Sequence, residues 1–242
     1  MDDFSDNKSL LVSQVEYYRA RANEYDEWFL RQGRYDHGPQ LNGQWFGEVD
    51  VVRDALRAFN PAGDVLELAC GTGLWTEQLL PYAGSITAVD AAPEVLDINR
   101  DRLQSSAVRY VQANVFDWQP QQQYDVVFFS FWLSHVPLPQ FAAFWRLVGA
   151  ALKPGGRWFF VDSRYDQSST AKDHQLAGKE DTTITRRLND GRVFRIVKVF
   201  YEARRLAAQL RELGWQAQIG ETEHYFIYGD GQNSVLSYEE GN

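Results

Sequence analysis

The chain has 242 residues, 24 Lys plus Arg against 33 Asp plus Glu, and a formal net charge of −9. At roughly 150 residues per domain this suits one large domain, or one domain with an added arm, and 44% hydrophobic with 14% aromatic residues excludes a disordered chain. The negative balance argues against a general nucleic-acid binder, while the single cysteine, Cys70, excludes an internal disulfide framework and a multi-cysteine zinc site; the four histidines are dispersed, so no metal centre is expected.

The opening Met1-Asp-Asp-Phe-Ser-Asp6 is acidic where a secretory leader would be basic and then apolar. The most apolar run, 126–133, is far below the roughly 18 to 20 residues that cross a bilayer. A cytoplasmic protein with no membrane partner is expected. The first 60 residues read as mostly helical, with Tyr18, Tyr25 and Phe29 on one face. Residues 64–69 read as a strand leading into a glycine loop and a helix near 74–80. A second strand spans 85–90, and Pro93 suits the first turn of a helix running to about 104, where its missing N–H would be unpaired anyway. Strands follow at 108–112 and 124–131, the latter without polar alternation, as for a strand covered on both faces. A helix at about 140–152 is expected to stop at Lys153-Pro-Gly-Gly156, before a fifth strand at 157–162.

Beyond the polar stretch 163–181, the β-rich segments 182–188 and 192–200 flank Asn189-Asp190-Gly191, a hairpin signal. A helix at 202–213 ends at Gly214, and 215–220 and 224–228 read as closing strands. The alternation of strands and helices predicts an α/β, doubly wound, mostly parallel sheet. Residues 1–60 form an N-terminal helical segment and 61–242 the main domain, with a β-hairpin inserted at about 182–200. No internal repeat or linker is visible.

The chemistry concentrates in Glu67-Leu-Ala-Cys-Gly71-Thr-Gly73, where a strand ends and a helix is expected to open. Glycines there let a ligand approach the backbone, and free N–H groups suit an anionic group. Asp90, ending the next strand, can accept hydrogen bonds from two ribose hydroxyls. A dinucleotide and a nucleoside both fit. The dinucleotide fingerprint wants Gly or Ala where Thr76 stands, and a Glu67 carboxylate near the loop would repel a pyrophosphate yet attract an ammonium and a sulfonium. The charge therefore favours S-adenosylmethionine over NAD.

Taken together, Val65-Leu-Glu-Leu-Ala-Cys-Gly-Thr-Gly73, Val89-Asp90, Gln112-Ala-Asn-Val-Phe116, Tyr124-Asp-Val-Val and Leu152-Lys-Pro-Gly-Gly156 resemble the class I S-adenosylmethionine-dependent methyltransferases over about 60–162. The resemblance implies a seven-stranded sheet whose last strand is antiparallel. It implies that Glu67, Ala69, Gly71 and Gly73 line the methionyl and ribose region, that Asp90 holds the ribose, and that Ala91 lies against the adenine. Asn114, where the family often has Asp, would meet the adenine amino group more weakly through a neutral carbonyl. Val115 and Phe116 would cover the base, and Ser130 and Phe131 would approach the methionyl amine and the reactive methyl. The run from Tyr17 to Tyr25 resembles the family's closing helix, with Tyr18, Arg21 and Tyr25 reaching the methionyl carboxylate or the substrate.

His135 follows the fourth strand and is the candidate general base; the alternative is a histidine that caps a loop or binds a carbonyl. The expected reaction is methyl transfer to an oxygen or nitrogen of a small-molecule acceptor, which Phe116, Phe131 and Trp132 suggest is flat or apolar. Between 182 and 205 lie Arg186, Arg187, Arg192, Arg195, Lys198, Arg204 and Arg205, against Asp190 and Glu202. This arm could bind an anionic acceptor or tRNA; an exposed ribbon whose charges block edge pairing is the favoured reading. A tRNA-modifying methyltransferase, an NAD-dependent oxidoreductase and a non-catalytic cofactor binder are the rival functions. A dimer is left open.

Overall fold

The run Tyr124–Ser130 shows how the sequence builds the sheet. Successive side chains of a strand point to opposite faces, so Val126 and Phe128 pack with one layer and Val127 and Phe129 with the other. Phe128 lies opposite Phe159 and Phe129 opposite Phe160 on the neighbouring strand, and both ring pairs stack, with centroids 6.1 and 5.7 Å apart. Such pairs contribute about 0.5–1.5 kcal/mol each beyond the area they bury.

The computed structural model describes residues 3–233; the two ends of the chain, 1–2 and 234–242, lie outside the described residues, and with them the first residues of the acidic opening. Helices α1 (Asp3–Arg21), α2 (Tyr25–Phe29) and α3 (Pro39–Phe59) come first. Then follow β1 (Gly63–Leu68), α4 (Thr76–Leu79), β2 (Ala83–Asp90), α5 (Pro93–Leu103), β3 (Val108–Gln112), β4 (Tyr124–Ser130), α6 (Phe141–Ala151) and β5 (Leu152–Ser163). After them come β6 (Thr183–Arg187), β7 (Val193–Val197), α7 (Ala203–Glu212), β8 (Trp215–Glu221) and β9 (Phe226–Asn233). The large sheet has the order β3-β2-β1-β4-β5-β9-β8, parallel except for β9, which runs antiparallel to both its neighbours. The last strand is thus antiparallel, as the resemblance implies.

Trp145, Leu206 and Leu210 of α6 and α7 cover one face, and Trp45, Val49, Val52 and Leu56 of α3 cover the other. Glu48 of α3 accepts backbone N–H bonds from His224 and Tyr225, tying that helix to the turn before β9. The hairpin β6–β7 forms its own two-stranded sheet. It is not a free ribbon: Ile184, Leu188 and Ile196 pack against Tyr17 of α1.

One local expectation is narrowed and one is corrected. The helix expected near 74–80 is present but short, Thr76–Leu79, with its first bonds running from Glu77 N to Gly73 O and from Leu79 N to Trp75 O; Pro81 prevents its extension, and Trp75 packs on Phe29 and Phe128. The stretch Lys153–Gly156 does not form a helix cap. Helix α6 has ended at Ala151, and 153–156 is an excursion within β5, where the register jumps from Tyr124 opposite Leu152 to Val126 opposite Arg157 and Gly155 takes φ +75°.

Candidate active site

The sheet order reverses between β1 and β4, and open parallel sheets bind ligands in the crevice beyond the carboxyl ends of such strands. Each strand ends here on a non-glycine residue with left-handed backbone, Ala69 at φ 53° and Phe131 at φ 50°. Conformations of this kind cost about 1–3 kcal/mol and concentrate at functional sites.

A cavity of about 660 Å³, open mouth included, fills the crevice. Its floor is Ala69 and Gly71 after β1, Asp90 and Ala91 at the end of β2, and Ser130 and Phe131 at the end of β4. Asn114, Val115 and Phe116 after β3 close one side, and Leu11, Val15, Tyr18 and Tyr25 from the N-terminal helices form the roof. Among the described residues Asp90 is the one carboxylate in this wall. Its Oδ2 accepts from Gly71 N at 3.0 Å and its Oδ1 from Ala92 N at 3.0 Å, while burial raises its pKa against those bonds. Asn114 Oδ1 accepts from Phe116 N and its amide donates to Asp117, which fixes the side chain in its loop. A mostly apolar slot with one fixed carboxylate suits a purine beside a hydroxylated sugar.

Two expected residues stand elsewhere. Glu67 does not line the cavity; it is wholly buried on the same face of β1 as Val65, and neither carboxyl oxygen has a hydrogen-bond partner. Burial pushes its pKa up to about 8, and the Asp90 charge adds to the rise. In the ligand-free chain the carboxyl is thus largely protonated near neutrality, behind the cavity wall and not in it. Gly73 also lies outside the cavity wall. It has φ +93°, and a Cβ there would meet the Asn99 amide at 2.7 Å. Asn99 is itself fixed, donating to Gly71 O and Thr76 Oγ1 and accepting from the Tyr110 hydroxyl. Gly73→Ala is therefore expected to destabilise by about 2–3 kcal/mol, about 5–10 °C in Tm; an unchanged melt would show that the loop accepts a side chain.

A second cavity shares Tyr18, Tyr25 and Phe131 with the first. Arg21 and His135 line this one. His135 Nδ1 lies 2.7 Å from Val197 O and so carries the proton, leaving Nε2 to accept from the Tyr18 hydroxyl at 2.7 Å. Burial, helped by the Lys198 charge, pushes the His135 pKa well below its ordinary value, and burial raises that of Tyr18. Gln14 ties the assembly together, donating to His135 O and accepting from Val197 N.

Sequence reasoning missed Leu11, Gln14 and Val15, although with Tyr18 they form the three- and four-residue spacing of a helix face. It also took Arg186 and Lys198 as part of an exposed ribbon. Both line the second cavity, and Lys198 is buried, whereas Arg187, Arg192 and Arg195 are exposed as expected.

Comparisons with known proteins agree with this geometry. Residues 65–156 match the family model described as a methyltransferase domain. A ubiquinone biosynthesis O-methyltransferase from Xanthomonas euvesicatoria pv. vesicatoria (strain 85-10) is 30% identical over 206 residues, 78% of this chain and 82% of that relative. Among solved structures, the DhpI–SAH complex superposes with a TM-score of 0.77 at 38% identity, covering 93% of this chain and 97% of that one. The DhpI–SAM–HEP complex gives 0.76 at 38% identity, with 92% and 97% covered. The chain belongs to the class I S-adenosylmethionine-dependent methyltransferases, and S-adenosylmethionine is its methyl donor.

Proposed function

We propose that the chain transfers a methyl group to an oxygen atom of a small-molecule acceptor, with the donor in the first cavity and the acceptor in the second. The observation that carries this reading is the meeting of the two cavities at Tyr18, Tyr25 and Phe131. The names of the O-methyltransferase relatives support oxygen as the accepting atom. S-adenosylmethionine supplies an electrophilic methyl on a positively charged sulfur. Asp90 accepts from the ribose hydroxyls, Ala91, Asn114, Val115 and Phe116 hold the adenine, and Ser130 meets the methionyl amine. Arg21 takes the methionyl carboxylate, and the rings of Tyr25 and Phe131 face the sulfonium. Residues 1–60 act as a lid, since α1 and the turn after it roof both cavities. Alignment of donor and acceptor can supply about 7–11 kcal/mol of the barrier.

In this reading His135 positions Tyr18 rather than removing a proton, because its free lone pair is already taken. Variant His135→Asn is expected to keep kcat within about tenfold, where loss of a general base costs about 10²–10⁴. Wild-type kcat should show no limb at the ordinary histidine pKa of 6.5, because burial holds His135 well below it; a limb near 6.5 that vanishes in the variant would restore His135 as base.

A tRNA substrate is disfavoured by the inward placement of Arg186 and Lys198 and by the pairing of Arg192 with Asp190. The test of the whole reading is calorimetric titration with S-adenosylhomocysteine and NADH, followed by transfer of a deuterated methyl to hydroxylated and acidic acceptors. Binding of the first ligand alone and an O-linked methyl product are expected; an N-linked product, or association with tRNA that weakens with salt, would overturn the acceptor assignment.

A further inference from the structure

We propose that the acceptor carries an oxyanion, a carboxylate or a phosphonate or phosphate, held by Arg186 and Lys198, and that the methyl is placed on an oxygen of that oxyanion. This rests on the methyl-transfer reading above and names its substrate class. Although the chain is acidic overall, among the described residues no carboxylate lines the second cavity, and three cations do: Arg21 at the end of α1, Arg186 on β6 and Lys198 just after β7. Strand alternation explains their inward placement. Arg186 lies between Ile184 and Leu188 on the face packed against α1, and Lys198 continues the face of Ile196.

The charges are not balanced within the protein. Lys198 Nζ lies 3.5 Å from Asp162 and donates to Ser134 Oγ at 2.8 Å and Ser163 Oγ at 2.5 Å. The Arg186 guanidinium donates to the Thr170 hydroxyl at 3.2 Å, a neutral partner, and among the described residues it forms no ion pair. Arg21 faces the Tyr25 and Tyr17 rings at 5.1 and 5.6 Å and likewise has no carboxylate partner among the described residues. Three cations against Asp162 leave two positive charges. The methionyl carboxylate takes one, through Arg21, and the other remains for the acceptor. Cations withdrawn from water without counter-charge are costly, and burial indeed lowers the pKa of both Arg186 and Lys198.

The same choice explains why no free base is needed. An oxyanion arrives deprotonated: its lone pair forms the O–CH₃ bond as the S–CH₃ bond breaks, and the bonding pair stays on sulfur. The products are a methyl ester and S-adenosylhomocysteine, with no proton released.

The test is a thermal-shift and calorimetric series on the S-adenosylhomocysteine complex at constant ionic strength. The probes are methylphosphonate, inorganic phosphate, glycolate and benzoate, each beside a neutral amide or alcohol of matched size. At least one oxyanion class is expected to raise Tm where its neutral counterpart does not, and the carboxylate and phosphonate arms separate the two sources. Arg186→Gln should weaken that anion by at least about 30-fold, Arg186→Lys should recover part of the loss, and S-adenosylhomocysteine affinity should stay within about threefold. With S-adenosylmethionine, the binding class should yield a methyl ester, recognised by alkaline release of methanol for a carboxylate and by phosphorus coupling of the new methyl protons for a phosphonate or phosphate. Equal shifts from neutral probes, no shift from any oxyanion, anion binding that survives Arg186→Gln, or a base-stable ether product would each overturn the proposal and leave methyl transfer standing. Failure of S-adenosylhomocysteine itself to bind would instead overturn the underlying reading.

Discussion

Replacing Asp90 with alanine is expected to weaken S-adenosylhomocysteine binding by about 10²–10⁴-fold. The figure comes from two charge-assisted hydrogen bonds to ribose, each about 1.5–3 kcal/mol. Asp90 is the carboxylate of the cavity wall, and its two oxygens are held in place by Gly71 N and Ala92 N. Those same bonds mean that the variant also frees two loop N–H groups, so lost affinity alone would not distinguish ribose contact from loop relaxation. A 2′-deoxy analogue of S-adenosylhomocysteine separates them. Removing the hydroxyl should cost affinity in the wild type and almost nothing in Asp90→Ala, because the partner is already gone. Equal penalties in both proteins, or an affinity within threefold of wild type, would remove Asp90 from ribose recognition.

Much of this architecture was legible because a parallel sheet writes itself as uninterrupted apolar runs. Val126, Val127, Phe128 and Phe129 need no alternation when both faces are covered, and the fingerprint around Gly71 and Asp90 fixes which end of the sheet binds. The errors are those of local signals overruled by packing. Lys153-Pro-Gly-Gly156 carries stop signals for a helix, but the chain has already turned into β5 at Leu152 and 153–156 is an excursion within that strand. Glu67 sits in a motif whose Ala69 and Gly71 line the cavity, and nothing in one sequence tells that this side chain turns to the core. The cations of the second cavity were half visible. Ile184-x-Arg186-x-Leu188 and Ile196-x-Lys198-x-Phe200 each set one charge in an apolar row of period two, a pattern foreign to a solvated edge. Which element covers that row, α1, is a tertiary fact with no local trace.

Glu67→Gln is expected to remove a pH dependence of stability on the order of 4 kcal/mol. In the folded chain the carboxyl titrates near 8, against an ordinary value of 4.5. Between those two values the native state binds more protons than the unfolded state, so stability falls as pH rises. The contribution of Glu67 is thus complete below about 4.5 and is lost as pH climbs through about 8, at close to 1.4 kcal/mol per pH unit in mid-range. A glutamine cannot titrate. It exchanges one buried polar group for another, which gives a constant offset but no slope. Urea unfolding of both proteins from about pH 5 to 9 should therefore give curves that diverge, the variant gaining steadily on the wild type as the solution becomes alkaline. Asp90, whose pKa is also raised by burial, titrates in both proteins, and its charge, which adds to the rise at Glu67, is part of what the difference between the curves reads. Because Glu67 lies behind the cavity wall and is protonated near neutrality, the same variant should bind S-adenosylhomocysteine within about threefold of wild type, the opposite of Asp90→Ala. Parallel curves would show that Glu67 is ionised in the folded chain, and a large loss of affinity would return its carboxylate to the cofactor.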